Sequence, residues 1–91
     1  MRDDSSANRL ADTVARDRRR IAEGQRPTYR ATWVVGVDGS VDVRVVELPI
    51  VHLLVPDPAF VSDGARMVIA RTLRVAPDTF DVVVAPASAG D

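Results

Sequence analysis

The residues in this sequence with the clearest chemical potential form a short arginine cluster near the N-terminus. The cluster consists of Arg16, Arg18, Arg19 and Arg20. A basic helix of this kind could contact the phosphates of a nucleic acid. However, Asp12, Asp17 and Glu23 dilute its charge, and no aromatic residue is interleaved for base stacking. We therefore expect Asp12 and Asp17 to form solvated surface ion pairs with the arginines, and we keep nucleic-acid contact as the alternative.

Residues that perform catalysis or bind metals are sparse in the rest of the chain. His52 is the only histidine, and its sequence neighbours Val51, Leu53 and Leu54 supply no acid. There is no cysteine, so thiolate catalysis, disulfides and cysteine metal sites are ruled out. The stretch "VGVDGS" lacks the spacing and the lysine of a phosphate-binding loop. These features predict a non-enzymatic protein with no catalytic residues, no cofactor and no metal site.

Length and composition indicate a single small globular domain. The chain has 91 residues, of which 46% are hydrophobic and 27% are charged, with a formal net charge of -1. This balance argues against disorder and against a domain that coats nucleic acid over its whole surface. The polar start "MRDDSSANRL" is unlike a signal peptide, and no apolar run approaches the roughly 20 residues that span a bilayer. We expect a cytoplasmic protein that does not associate with membranes.

The first predicted element is a helix over residues 5–24. Leu10, Val14 and Ile21 recur on helical spacing, and Gly24 is a typical helix stop. The apolar stripe is interrupted by "RDRRR", so the helix should be stable only against a surface.

Three strands should follow. Apolar and polar residues alternate over residues 28–37, which is the period of a half-buried strand. Asp38 and Gly39 are typical of a tight hairpin turn, after which Val41, Val43 and Val45 resume the alternation. Pro49 interrupts the pattern, and residues 50–55 are predicted as a third strand.

A second helix and a fourth strand complete the pattern. Asp57 and Pro58 indicate a helix start, whereas Pro77 ends the helical stretch before a strand over residues 80–84. Gly64, inside this helix, costs about 1 kcal/mol relative to alanine. Either it permits a close approach of the helix to the sheet, or it reflects neutral drift. The resulting fold class is α+β, a β-β-β-α-β unit after the first helix. A right-handed crossover would place the last strand parallel to the first and beside it.

This organisation divides the chain into three parts: an N-terminal helix and linker (1–27), the β-β-β-α-β domain (28–85) and a disordered tail (86–91). The predicted core between the sheet and the second helix comprises Trp33, Val35, Val43, Val45, Val68, Ile69, Leu73, Phe80 and Val82. The opposite face of the sheet carries Val34, Val46, Leu54 and Val83. Because a face in contact with water would be more polar, the first helix, a second copy or a different protein should cover it. The weak apolar stripe of the first helix favours a partner or a second copy. The protein should then be a homodimer or a larger assembly.

The stretch from residue 28 to residue 84 resembles the HicB-like antitoxin family. Members often have a Tyr-x-Ala strand, a strand ending near Glu-Leu-Pro, a helix with an Ala-Arg pair and a Pro-Asp-Ser/Thr-Phe strand. The matching residues here are Tyr29, Ala31, Glu47, Leu48, Pro49, Ala65, Arg66, Pro77, Asp78, Thr79 and Phe80. The resemblance implies one mixed sheet with a helix on one face, similar to a partial ribonuclease-H-like fold. It does not include the C-terminal DNA-binding module that many members carry.

As a function, the resemblance implies an antitoxin that binds a small HicA-type mRNA-cleaving toxin and covers its active surface. Solitary HicB-like domains also exist, so an adaptor subunit in a larger assembly is a second interpretation. A small nucleic-acid-binding regulator that uses the arginine-rich first helix is a third.

Overall fold

The structure, a computed structural model, describes the backbone of residues 4–87 and the side chains of residues 9–87. The fold is α+β, as predicted. The helices and strands, in chain order, are α1 (Asp4–Ala22), β1 (Thr28–Val35), β2 (Val41–Val45), β3 (His52–Val55), α2 (Val61–Leu73) and β4 (Asp81–Pro86). A short 3-10 turn, Pro58–Phe60, precedes α2. Within the described residues, no helix is long and apolar enough to cross a membrane.

The four strands form one mixed sheet with the order β3-β2-β1-β4. β1 and β2 are antiparallel, with Trp33 opposite Val43, and β2 and β3 are antiparallel, with Val43 opposite Leu53. β4 runs parallel to β1, with Tyr29 opposite Val82. The prediction that the last strand lies parallel to the first and beside it is therefore confirmed.

The turn between β1 and β2 is formed by the residues that predicted it. Gly39 has a φ of 88°, a value that glycine adopts without steric cost. The Asp38 carboxylate accepts hydrogen bonds from the Ser40 hydroxyl at 2.7 Å and from its backbone N–H at 3.1 Å. These bonds, the side-chain one foremost, lower the pKa of Asp38 below its ordinary value. Local side-chain bonding thus stabilises the hairpin that sets the register of β1 and β2.

Helix α2 packs against one face of the sheet. Its buried residues, Val61, Ala65, Ile69 and Leu73, recur at helical spacing and are at most 1% exposed. A Cβ atom at Gly64 would lie 2.9 Å from Leu53 Cδ1 and 3.1 Å from Val55 Cγ1. The prediction that Gly64 permits a close approach of helix to sheet is therefore confirmed.

Asp57, predicted to cap the second helix, begins the 3-10 turn instead. Its side chain accepts a hydrogen bond from the backbone N–H of Ala59 at 2.8 Å. The turn then leads directly into α2, which begins at Val61.

Helix α1 lies on the same side of the sheet as α2. Leu10, Val14 and Ile21 pack against the core cluster that contains Tyr29 and Phe80. The helix therefore uses its thin apolar stripe on the edge of the existing core, as a helix of marginal intrinsic stability must. Since both helices are on this side, neither packs on the opposite face of the sheet through the side chains of residues 9–87.

Two further predictions about the fold need correction. Val35, assigned to the core, is 49% exposed. It is the last residue of β1 and lies beyond the last pair of the β1–β4 ladder, Trp33 with Pro86, so no neighbouring strand shields it on that side. The predicted disordered tail also begins too early, because Pro86 belongs to β4 and the Ala87 N–H donates to the Trp33 carbonyl at 2.8 Å. The rest of that tail, residues 88–91, lies outside the described residues.

The other predicted core residues lie on the expected side. Val43, Val45, Ile69, Leu73 and Phe80 are at most 1% exposed. Trp33, Val68 and Val82 are partly buried and pack against the core. Tyr29, Ala31, Val41, Leu48, Val51 and Val55 are also buried.

Candidate functional site

The sheet face opposite α2 is called the open face here. The strand pairing places its residues in rows across the sheet. One row joins Leu54, Asp42 and Val34, and the next joins His52, Arg44, Thr32 and Ala85. A third row joins Val46, Arg30 and Val83, since the Val46 N–H donates to the Arg30 carbonyl at 2.8 Å.

The residues predicted to contact a partner lie on this open face and are exposed. The exposed fractions are 54% for Val34, 45% for Val46, 67% for Leu54 and 55% for Val83. They do not form one continuous apolar patch, because Asp42 separates Val34 from Leu54 in their row and Arg30 separates Val46 from Val83. The open face is therefore a mosaic of aliphatic and charged side chains.

Carboxylates neutralise the arginines of this mosaic. Arg30 donates from Nε to Glu47 Oε2 at 2.8 Å and from its backbone N–H to Glu47 Oε1 at 2.8 Å. Arg44 lies 3.5 Å from Asp42 Oδ2. At the end of the face, Arg26 pairs with Asp81 at 2.9 Å. Paired charges produce little net field, so the surface is better suited to a protein than to a polyanion.

One acceptor on the open face lacks a partner. Asp42 Oδ1 is buried and has no hydrogen-bond partner among the described residues. A shallow cavity of about 250 Å³, lined by Thr32, Trp33, Val34, Asp42, Arg44 and Ala87, opens beside it. A protein docked here would gain by placing a hydrogen-bond donor near this carboxylate.

A second concave surface adjoins the open face at Val46. A cavity of about 420 Å³ lies between the first half of α1 and the connection from β2 to β3. Its lining residues are Arg9, Leu10, Thr13, Val46, Glu47, Pro49 and Ile50. Ile50 and Val46 are each 45% exposed, so the aliphatic surface extends around the edge of the sheet.

The arginine cluster lies on α1 and points to solvent. Arg16, Arg18, Arg19 and Arg20 are all exposed. Arg16 contacts Asp17 Oδ1 at 3.3 Å, whereas Arg18, Arg19 and Arg20 have no carboxylate within 4.0 Å in the part of the chain that the structure describes. Helical spacing puts Arg16, Arg19 and Arg20 on one side and Arg18 on another, so the cluster is not a single flat patch.

Asp17 was predicted as a solvated surface residue, and this prediction is wrong. Asp17 is only 4% exposed, and its Oδ2 accepts a hydrogen bond from the Tyr29 hydroxyl at 2.6 Å. The sequence contained an indication that Asp17 is buried. Leu10, Val14, Asp17 and Ile21 follow the i, i+4, i+7, i+11 spacing of one helix face. Asp17 thus stands where an apolar residue would be expected, and it connects α1 to β1. Asp12, by contrast, is exposed as predicted, but it forms no ion pair within 4.0 Å among the described residues.

The residues that carry the family resemblance have structural roles. Tyr29, Ala31, Leu48, Ala65 and Phe80 are at most 1% exposed. The Tyr29 and Phe80 rings pack edge to face, with centroids 5.6 Å apart and an interplanar angle of 87°. These five residues therefore belong to the core, whereas Glu47 pairs with Arg30 on the open face.

The Pro-Asp-Thr-Phe segment is held to α2 by one arginine. Arg66 donates from Nη1 to the Pro77 carbonyl at 2.7 Å and to the Phe80 carbonyl at 3.0 Å. Its guanidinium also lies 5.5 Å from the centroid of the Phe80 ring. The Thr79 hydroxyl donates to the Ala76 carbonyl at 2.6 Å, which closes the turn before β4. These contacts fix the turn that leads into β4.

His52 belongs to the open face. Its side chain is exposed, and Nδ1 lies 3.4 Å from the Ile50 carbonyl oxygen. No group of three or more histidine, aspartate or glutamate side chains among the described residues could hold a metal ion. The strongest candidate for a functional site is thus the open face.

Comparison with known proteins does not identify the chain, since no family model, no curated protein sequence and no solved structure matches it.

Proposed function

We propose that this protein is a non-catalytic, HicB-like antitoxin of the cytoplasm that binds a small HicA-type mRNA-cleaving toxin through its open face. The observation that carries the proposal is an amphipathic sheet face that neither helix covers. Val34, Val46, Leu54 and Val83 remain between 45% and 67% exposed on it.

The agreement between the resemblance and the fold supports this proposal. The element order after α1 is the β-β-β-α-β order that the resemblance implies. Its most distinctive segment, Pro77 to Phe80, makes the contacts to Arg66 that hold β4 beside β1. The open face then lies free on the side away from α2.

The chemistry of the open face supports a protein ligand. Aliphatic side chains alternate with arginines whose charges are already paired, and interfaces are enriched in arginine over lysine. An arginine held by a carboxylate, as Arg30 is by Glu47, loses little conformational freedom on binding. The unpartnered Asp42 Oδ1 offers an acceptor for a basic side chain of the toxin.

The test is inhibition of a purified HicA-type toxin, measured as the rate of mRNA cleavage. The toxins tried should include any toxin-sized product encoded beside this gene. We expect the wild-type protein to inhibit cleavage, and Val46→Glu to weaken inhibition at least tenfold, which corresponds to about 1.4 kcal/mol. A buried glutamate without a partner would cost this much or more.

Val37→Glu is the matched control, because Val37 lies in the hairpin turn and is fully exposed. It introduces the same charge away from the open face and should inhibit like the wild type. Equal inhibition by Val46→Glu and the wild type would show that the toxin binds elsewhere. A stable complex with a different protein through the same face, without any toxin inhibition, would instead indicate the adaptor role.

A nucleic-acid-binding regulator is the second candidate, favoured by Arg18, Arg19 and Arg20 of α1, which have no carboxylate within 4.0 Å among the described residues. The antitoxin proposal predicts that the triple variant Arg18→Ala/Arg19→Ala/Arg20→Ala inhibits the toxin like the wild type. Gel-shift titration of the same variant with RNA and DNA gives the complementary measurement. Binding that falls steeply with salt and is lost in the variant would favour the regulator.

A further inference from the structure

The outer edge of β4 presents unpaired backbone groups. The Asp81 N–H donates to the Pro27 carbonyl at 2.9 Å, and the Ala87 N–H donates to the Trp33 carbonyl at 2.8 Å. Odd-numbered residues of β4 therefore direct their N–H and C=O groups toward β1. Because these directions alternate along a strand, Val82 and Val84 direct theirs away from the sheet. Neither N–H has a hydrogen-bond partner among residues 4–87.

The segment from Val82 to Val84 lacks the features that usually prevent strand addition. Edge strands are commonly protected by charged side chains, proline, bulges or a covering helix, and the proline of β4, Pro86, lies beyond this segment. β4 reads "DVVVAP", so no charge follows Asp81, and Val83 and Val84 are 55% and 38% exposed. The other edge strand, β3, has only four residues and is followed by Pro56. β4 is thus the longer and less protected edge.

We propose that β4 is a homodimerisation edge, at which two copies of this chain pair antiparallel about a twofold axis through Val83. In this register the Val82 N–H of each copy donates to the Val84 carbonyl of the other copy. The Val82 carbonyl in turn accepts a hydrogen bond from the N–H of that Val84. Every outward N–H and C=O group of the two valines is then satisfied. The two four-stranded sheets become one continuous sheet.

The arrangement of the unpaired N–H and C=O groups of Val82 and Val84 favours a second copy of this chain as the partner of the β4 edge. The segment from Val82 to Val84 is self-complementary, since the same two residues supply the donors and the acceptors on both sides of the axis. An antiparallel pair of identical strands forms a closed twofold dimer, whereas a parallel pair would not close. Pro86 has no N–H to offer, and this register does not require one from it.

The side chains are compatible with this pairing. The two Val83 residues, one from each copy, lie opposite each other at the axis and form a close non-hydrogen-bonded pair. Their side chains are on the open face. Asp81 lies opposite Ala85 of the other copy, so no like charges oppose each other directly. The dimer joins the two open faces side by side and leaves Val34, Val46 and Leu54 available to a partner.

Sedimentation of the purified full chain over a concentration series is the first measurement, with dimer expected. Val84→Pro removes an outward donor that β1 does not use, so the variant should sediment as a monomer with an unchanged circular dichroism spectrum. Val46→Glu, on the open face but away from this edge, should remain dimeric. A wild type that stays monomeric at millimolar concentration, or a dimer that persists in a folded Val84→Pro variant, would overturn the proposal.

Cysteine cross-linking tests the register even if Val84→Pro fails to fold, because the natural chain has no cysteine. Residues opposed in a non-hydrogen-bonded pair have Cα atoms about 4.5 Å apart, within reach of a disulfide. We expect Val83→Cys to form a covalent dimer on mild oxidation, whereas Val34→Cys, an exposed position of the same face on β1, should remain mostly reduced. Equal cross-linking of the two variants would contradict the proposed axis.

The dimer proposal does not depend on the antitoxin proposal, and an experiment can contradict either one without contradicting the other. Loss of the dimer in Val84→Pro with toxin inhibition retained would support the edge pairing alone. Loss of inhibition in Val46→Glu with the dimer retained would support the open face alone.

Discussion

Replacing Phe80 by alanine should lower the free energy of unfolding by about 3 to 5 kcal/mol. The ring is fully buried, packs edge to face on Tyr29 and lies against the Arg66 guanidinium. Because a domain of this size has a total stability of about 5 to 10 kcal/mol, much of the variant should be unfolded at moderate temperature. Chemical denaturation monitored by circular dichroism measures the change.

Ile69→Ala should show a comparable loss, about 2 to 5 kcal/mol, because Ile69 is fully buried on the sheet side of α2. Met67 provides the control, since it lies on the same helix and is 66% exposed. Met67→Ala should change the stability by no more than about 0.5 kcal/mol. Midpoints for Phe80→Ala and Ile69→Ala close to that of the wild type would mean that α2 does not pack on this face.

Tyr29→Phe should destabilise the protein by about 1 to 3 kcal/mol, although it removes a single oxygen atom. The hydroxyl donates to Asp17 Oδ2 at 2.6 Å, and its loss leaves a buried carboxylate whose remaining side-chain partner among the described residues is the exposed Arg16. Asp17→Ala should also destabilise, since it leaves the Tyr29 hydroxyl without an acceptor. The double variant should lose less than the sum of the single losses, because each substitution already breaks the same bond. Additive losses would show that the pair is not coupled.

The same pair predicts a loss of stability at alkaline pH. Burial, and then the hydrogen bond to Asp17, raise the pKa of Tyr29 above its ordinary value of 10.0. Above that pH the unfolded chain releases the phenolic proton while the folded protein retains it. The contribution of Tyr29 to the free energy of unfolding should therefore be independent of pH below about pH 10. Above that pH it should make the free energy of unfolding fall as the pH rises.

Tyr29 is the only tyrosine, so its ionisation can be followed directly by the ultraviolet absorbance of the phenolate. In the folded protein the titration should begin only as the domain unfolds. Tyr29→Phe should lack this part of the alkaline destabilisation. A phenolate that forms near pH 10 without unfolding would show that the hydroxyl is accessible and not bonded to Asp17.

Local patterns predicted most of the fold. Alternation of apolar residues identified β1 and β2, and helical spacing identified the buried face of α2. Asp38 and Gly39 indicated the hairpin, because few residue pairs adopt the backbone angles of a tight turn. Element ends were less accurate, and the third strand begins at His52 rather than at residue 50, since Pro49 and Ile50 belong to the turn before it.

The candidate site was predicted in part. The sequence placed Val34, Val46, Leu54 and Val83 on one face, because residues two apart in a strand point the same way. Their separation by Asp42 and Arg30 depends on the register between strands, which the composition of each strand alone does not reveal. The unpartnered Asp42 Oδ1 likewise follows from packing across β1 and β2.

By itself, the sequence determined the order of the elements and the parallel pairing of the last strand with the first. These features follow from periodicity, turn chemistry and the handedness of chain crossovers, which act within one element or between successive ones. Only the tertiary structure decided where α1 lies and what Asp17 does. A charged residue on an apolar stripe is solvated or buried according to whether a distant donor reaches it, and here the Tyr29 hydroxyl does so from β1.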